Sequence, residues 1–225
     1  MTTLAIAAAA WILLHLLVAG MFRPAVAGRI GEPAFRGLFS VLSVASLGFL
    51  IWAYRGSPYL PLWNFGIGAL HLAKLLVFVA CFLLVGSLSP RNPNLAGADM
   101  VLKDQLPVEG LIRVTRHPML WAFTFWSIAH ILANGHLAAL LLFGAILVTA
   151  QNGMYSIDRK QRRRHGPAWD AFAAKTSLIP FLAIIQGRNR FVFGEYGLAR
   201  VAIACALFLI LLYGHGYVIG RDITG

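Results

Sequence analysis

The sequence predicts an all-α fold, a polytopic integral membrane helix bundle of about six transmembrane helices with further helices at the cytoplasmic interface. Three observations predict it. Hydrophobic residues make up 59% of the 225-residue chain, where soluble domains carry roughly 45–50%. Charged residues reach only 12%, about half the share of a soluble domain, and mean hydropathy is +0.74. The apolar residues are also gathered into runs close to the roughly 20 residues that cross a hydrocarbon core. So few charges cannot clothe a soluble surface, which excludes a soluble enzyme. The 12% aromatic content excludes disorder, and the 22 glycines have no fixed period, which excludes a collagen-like repeat. One membrane domain over residues 1–225 is the expected organisation.

Six stretches qualify as spans or nearly so: 3–22, 36–54, 66–88, 118–133, 137–155 and 199–219. The first lacks a basic head and a cleavage site and contains His15, so it reads as a retained helix and not a signal peptide. The fourth is short and begins at Pro118, a residue suited to the first turn of a helix. Residues 104–117 and 158–175 mix charged and apolar residues at helical spacing, as interfacial helices do, with Pro180 stopping the second. Cys81 and Cys205 lie in apolar runs without a CxxC pattern, so they read as core thiols.

A net charge of +11 suggests nucleic acid in a soluble protein. In a membrane chain it measures loop asymmetry, and no nucleic-acid partner is expected. Three arginines follow the first span, four basic residues lie between the third and fourth (Arg91, Lys103, Arg113, Arg116), and nine lie between the fifth and sixth. Sixteen of 19 therefore fall on one side, while Arg55 and Arg221 fall on the other and Lys74 lies within a span. The expected topology is a multi-pass bacterial inner-membrane protein with both termini on the non-cytoplasmic side. The run Asp158 to Arg164 reads as a stop-transfer flank that attracts anionic lipid.

Ionisable side chains inside hydrocarbon are costly and mark candidate sites. His15, His71, Lys74 and His130 qualify. Neutral imidazole is a good ligand for iron, copper and zinc. The spans offer no carboxylate for a di-iron site, and the apolar surroundings suit a flat cofactor with axial histidines, b-type haem. His130 lies four residues before Asn134, about 6 Å deep, and His71 about five residues into the third span at similar depth. His15 is eight residues from Arg23, about 12 Å from the inner end. Depth slightly favours His71 as the partner of His130 and leaves the ligand pair open. Lys74, one turn after His71, is a candidate partner for a haem propionate or a substrate anion, or faces polar backbone.

Gly110-Leu-Ile-Arg-Val-Thr-Arg-His-Pro118 runs straight into the fourth span. Arg113, Arg116 and His117 beside a helix N-terminus form a candidate pocket for a propionate, phosphate or carboxylate; the plainer reading is a basic flank that sets orientation.

The ordered series Arg116-His117-Pro118, Gly166-x-x-Trp169 and Ile179-Pro180 resembles the NnrU family and the related plant zeta-carotene isomerases. His15 with Arg23, Gly31-Glu32, Phe35-Arg36 and Ser43 resembles the opening of NnrU proteins. Ile128-Ala129-His130, Asp158-Arg159, Thr176-Ser177-x-Ile-Pro-Phe181 and Gln186-Gly187-Arg188 resemble the isomerases. The resemblance covers nearly the whole chain and implies a single NnrU-like transmembrane domain that holds b-type haem. In the isomerases two histidines hold the iron, and they match His15 and His130. A redox change frees a coordination position for cis-to-trans isomerisation of a carotenoid double bond. Those isomerases carry a cysteine three residues before the second histidine, where this chain has Ser127.

The NnrU resemblance implies support of nitric oxide and nitrite reductase function, by redox relay, sensing or maturation. Components of those reductases, a hydrophobic small molecule and the lipid bilayer are the implied partners. The same motif order also resembles membrane methyltransferases of the isoprenylcysteine carboxyl type, which bind S-adenosylmethionine. Three positions of that pattern are softened here, at Leu120, Asp158 and Trp169.

Overall fold

A computed structural model describes residues 1–88, 92 and 108–219. Arg91, Lys103, Arg221 and the first part of the expected 104–117 helix lie outside the described residues. Every element longer than four residues is helical: α1 (Thr2–Leu13), a π-helical continuation (Leu14–Met21), α2 (Arg23–Ile30), α3 (Glu32–Arg55), α4 (Gly66–Ser87), α5 (Pro118–Asn134), α6 (Leu137–His165), α7 (Pro167–Lys175) and α9 (Leu198–Ile219), with the four-residue α8 (Leu182–Ile185) before the last. Five helices among the described residues are long and apolar enough to cross a membrane. The fourth expected span forms α5, whose 17 residues rise about 25 Å, short of the roughly 30 Å core.

The helices begin and end where the local chemistry directs. Prolines occupy the first turns of α2, α3 and α7, where the missing N–H costs nothing. The expected 158–175 helix is two pieces. No breaker precedes Gly166, so Asp158 to His165 continue α6; Gly166 then takes a positive φ of 49° and α7 starts at Pro167. Helix α7 ends at Lys175, ahead of Pro180. The described part of 104–117 holds only a 3₁₀ turn, Gly110–Arg113, followed by a non-helical strap into α5. In the π-helix the Phe22 N–H reaches back five residues to Leu17 O (2.7 Å).

Contacts gather into two units, Met1–Ala73 with Ser127–Gly153, and Lys74–Trp126 with Met154–Gly225. In the first, α1 buries Leu4, Ala7 and Ala8 and α6 buries Ala138, Ala139, Leu142, Ala145 and Ile146, the alanines among them letting helices approach closely. Trp11 Nε1 donates to Thr149 Oγ1 at 3.0 Å. The link after α3 is strapped to the α5–α6 turn: Leu62 and Trp63 donate to Gly135 O at 2.8 and 3.0 Å, and Leu137 donates to Leu60 O. In the second unit Ala80, Leu83 and Ala122 form one core cluster and Ile112, Trp169 and Phe172 another. Elsewhere large apolar side chains on spanning helices face outward, with Val44 at 72% and Ile210 at 68% exposure. Such surface suits hydrocarbon as its solvent.

Candidate functional site

The first unit holds the intramembrane histidines. His15 lies in the first turn of the π-helix, a distortion often found at functional sites. Its Nδ1 lies 2.9 Å from Trp11 O; a carbonyl only accepts, so Nδ1 carries the proton and Nε2 keeps its lone pair. That is the tautomer and support a metal-ligating histidine has. The ring packs on Trp11 (4.1 Å between centroids) and on the edge of Phe39 (5.4 Å). His130 stacks on Phe143 at 4.5 Å, and Phe143 meets Tyr54 at 6.4 Å. Phe39 and Tyr54 sit near opposite ends of α3, about 22 Å apart along its axis. His15 is therefore level with the early part of α3 and His130 with its last turn.

The rings that pack on His15 are those of Trp11 and Phe39. The Leu62/Trp63–Gly135 strap sets the start of α4 beside the end of α5. His130 lies five residues before Gly135, and His71 lies five residues into α4 and eight after Trp63, so both fall within roughly two helical turns of the strap. His71 is exposed, and Lys74, one turn further along α4, is half-buried.

Ser127, one turn before His130, is fully buried, and its hydroxyl has no hydrogen-bond partner, as is true of Ser43 and Ser46 on α3. A helical serine ordinarily bonds a carbonyl of the preceding turn, so these orphaned hydroxyls fit a unit built around a further polar group. Replacing Ser127 by Ala is expected to stabilise ligand-free protein by about 1 kcal/mol, because an unpaired buried hydroxyl disappears. Thermal unfolding in detergent checks this; a lower Tm shows the hydroxyl to be satisfied.

The second unit gathers the Arg-His-Pro residues into an ion-paired lock. Arg116 donates from Nε (2.9 Å) and Nη2 (2.5 Å) to Asp158 Oδ2, and His117 Nε2 donates to Asp158 Oδ1 at 2.6 Å. Arg113 grips Glu195 through Nε and Nη2 at 2.7 and 2.8 Å and donates from Nη1 to Asn189 Oδ1. The strap pairs with the segment after α7: Arg116 N donates to Ser177 O, Phe181 N to Val114 O, and Thr115 Oγ1 and Trp121 Nε1 both to Leu178 O. The anions that the structure supplies to Arg113, Arg116 and His117 are thus Glu195 and Asp158, from the chain itself.

The other motif residues also meet one another. In the first unit Glu32 accepts from Arg23 and Arg36, and Arg23 lies over the Phe35 ring. Arg188 closes the segment after α7 with bonds to Ala174 O, Thr176 O and Gln186. Sequence reasoning missed Asp158 and Glu195 as counter-charges because their partners lie 42 and 82 residues away. It also passed over His136 as a turn residue. His136 is buried between Tyr54 and Tyr59, and its Nδ1 accepts from Ala139 N at the start of α6 (3.2 Å). Asn134-Gly135 ahead of it was the only local signal.

Acid should loosen the lock in two stages. Burial pushes His117 below its ordinary 6.5, with Asp158 opposing, so the folded state keeps it neutral. That contribution is complete above pH 6.5 and declines as pH falls below it. The Arg113 hydrogen bonds hold Glu195 below 4.5 against burial, and its contribution is lost as pH falls from 4.5 through the folded value. The expected result is a Tm lower at pH 5.5 than at pH 7.5 and lower again at pH 4 (test pH values chosen about one unit around these ordinary pKa values). His117→Gln should remove the first decline; a flat profile down to the Glu195 range contradicts the assignment.

With this geometry in place, comparison with known proteins is informative. The family model described as NnrU protein matches residues 3–223. The chain belongs to the NnrU family. Among curated relatives of this NnrU chain are the chloroplastic 15-cis-zeta-carotene isomerases of Arabidopsis thaliana, 32% identical over 168 residues, and of Zea mays, 30% identical over 169. The aligned regions cover 71% and 72% of this chain and 44% of each relative, so the chain spans under half the length of the curated relatives it matches. No solved structure gives a significant match.

Proposed function

We propose that this NnrU-family chain is a membrane-embedded cis–trans isomerase of a lipid-soluble conjugated polyene, with b-type haem as its cofactor. The observation that carries the reading is the 32% identity with an isomerase over 71% of the chain. The donor set is compatible with haem. His15 offers Nε2 from a fixed tautomer, His130 and His71 lie on helices joined by the Gly135 strap, and Ser127 leaves a buried hydroxyl one turn from His130. Of these, His71 and His130 are the pair we assign to one iron in this conformation. Haem, when bound, would supply an iron whose change of redox state opens a coordination position. The chain's own contribution is the aromatic surroundings of His130, with Phe143 stacked on its ring and Tyr54 beyond, which suit a hydrocarbon ligand. Ser127 adds a hydroxyl that can bond a neighbour; as an iron ligand it is a poor substitute for a thiolate.

The loop asymmetry supports an inner-membrane placement with both termini on the non-cytoplasmic side, an arrangement in which the short α5 crosses together with the five longer helices. Asp158, at the position of the methyltransferase glutamate, is engaged by Arg116 and His117, which counts against methyl transfer. The reaction is tested with purified protein in proteoliposomes given 15-cis-zeta-carotene, the isomer ratio being followed by chromatography under oxidising and reducing conditions. Conversion well above the protein-free rate is expected. A haem-containing protein that leaves the isomer ratio unchanged overturns the isomerase reading and returns weight to support of nitrogen-oxide reductases.

A further inference from the structure

We propose that the segment from Ile179 to Leu198 is an in-plane anchor that sits in the headgroup region of an anionic membrane leaflet. This inference concerns the second unit alone and does not depend on the reaction. The segment contains no helix long enough to span, yet it displays Ile179, Phe181, Ile185, Phe191, Phe193 and Leu198 at 54%, 48%, 79%, 54%, 74% and 84% exposure. The aromatic members form one patch, with Phe181 to Phe191 at 6.2 Å and Phe191 to Phe193 at 6.4 Å between centroids. An exposed cluster of this kind marks an interaction surface.

The patch is held out by a hydrogen-bonded frame. Phe181 takes a left-handed conformation (φ 63°), uncommon for a bulky residue, while its N–H is pinned to Val114 O. Ala183 N donates to Ser177 Oγ, Arg188 and Asn189 N–H both return to Ala183 O, and Asn189 Nδ2 donates to Lys175 O. A frame built this way does not fold its apolar side chains inward.

Two features name the occupant. The patch runs directly into the spanning helix α9, whose first residue is Leu198, so it lies at the level where that helix leaves the hydrocarbon. Lys175, Arg188 and Arg190 are exposed around it, and basic side chains beside an apolar face favour an anionic lipid surface over water or a neutral one. A cavity of about 120 Å³ also opens among Phe82, Leu111, Phe191, Phe193, Tyr196 and Val201. Its walls are apolar and give water few partners.

Nitroxide labels test the placement. They are attached to Ile185→Cys and Phe193→Cys in full-length protein also carrying Cys81→Ala and Cys205→Ala. Ile210→Cys on α9 serves as the hydrocarbon reference and Arg163→Cys as the aqueous one. In vesicles of phosphatidylcholine and phosphatidylglycerol in equal parts, collisions with oxygen should exceed those with a water-soluble nickel chelate at both loop positions. Chelate access several-fold below that at position 163 is expected. Access equal to that at position 163 overturns the proposal and leaves a protein partner as the occupant. Chelate access should rise in pure phosphatidylcholine, and Lys175→Gln with Arg190→Gln should abolish that lipid dependence. Equal access in both vesicle types before substitution overturns the anionic preference.

Discussion

Gly135→Ala is expected to be the most damaging single methyl group that can be added to the first unit. Gly135 has a positive φ of 57°, a conformation that costs an L-residue roughly 1–2 kcal/mol. A Cβ there would also overlap the carbonyl of Trp63, which is backbone and cannot swing away. Relief requires the strap to open, and with it the bonds from Leu62 and Trp63 to Gly135 O, each worth about 1 kcal/mol. The total loss is about 4 kcal/mol, at the upper end for a point substitution. The measurement is the yield of monodisperse protein in detergent and its Tm, with Gly144→Ala on α6 as the control, where a Cβ meets nothing within 4 Å. Equal stability of the two variants contradicts the strap geometry.

Asp158→Asn carries the second-largest expected effect. Asp158 is the shared acceptor of Arg116 and His117, and its side chain is 19% exposed beside an Arg116 side chain at 15%. Removing the negative charge takes a carboxylate partner from a largely buried guanidinium, a loss of about 3 kcal/mol. The asparagine amide also presents a donor where the carboxylate accepted from His117. Asp170→Asn is the control: its pair with Arg162 is exposed, at 49% and 70%, and surface pairs contribute little. Thermal unfolding should show a large drop for Asp158→Asn and none for Asp170→Asn. Comparable Tm values would place the stability of the strap in its backbone bonds alone.

The parts of this protein legible in its sequence are those set by local chemistry. Apolar length located the starts of the spans to within a few residues, and proline at a first turn located the starts of α5 and α7. The motif resemblance located the residues that the strap joins. What escaped depends on partners distant in sequence or on backbone geometry without a composition signature. The π-helix at Leu14–Met21 is as apolar as the α-helix before it, so periodicity cannot separate them. Charge at helical spacing suggested an independent helix at 158–165, yet with no breaker before Gly166 the residues continue α6. Arg113, Arg116 and His117 read as a site for a free anion because Glu195 and Asp158 lie far along the chain. Depth counting from the loops slightly preferred His71 for His130 without settling the pair, while the family resemblance pointed to His15 with His130; the backbone bonds to Gly135 could not be read from either.

The claim that most needs a direct measurement is that the histidines of the first unit hold an iron. The absorbance spectrum of detergent-purified protein, from cells supplied with haem, should be recorded oxidised and then reduced with dithionite, for the wild type and for His15→Ala, His71→Ala and His130→Ala. The account predicts a Soret band with sharp reduced α and β bands in the wild type, lost or converted to a high-spin spectrum in His130→Ala and His71→Ala. A featureless visible spectrum in the wild type contradicts it. Full low-spin haem in both of those variants contradicts the ligand assignment.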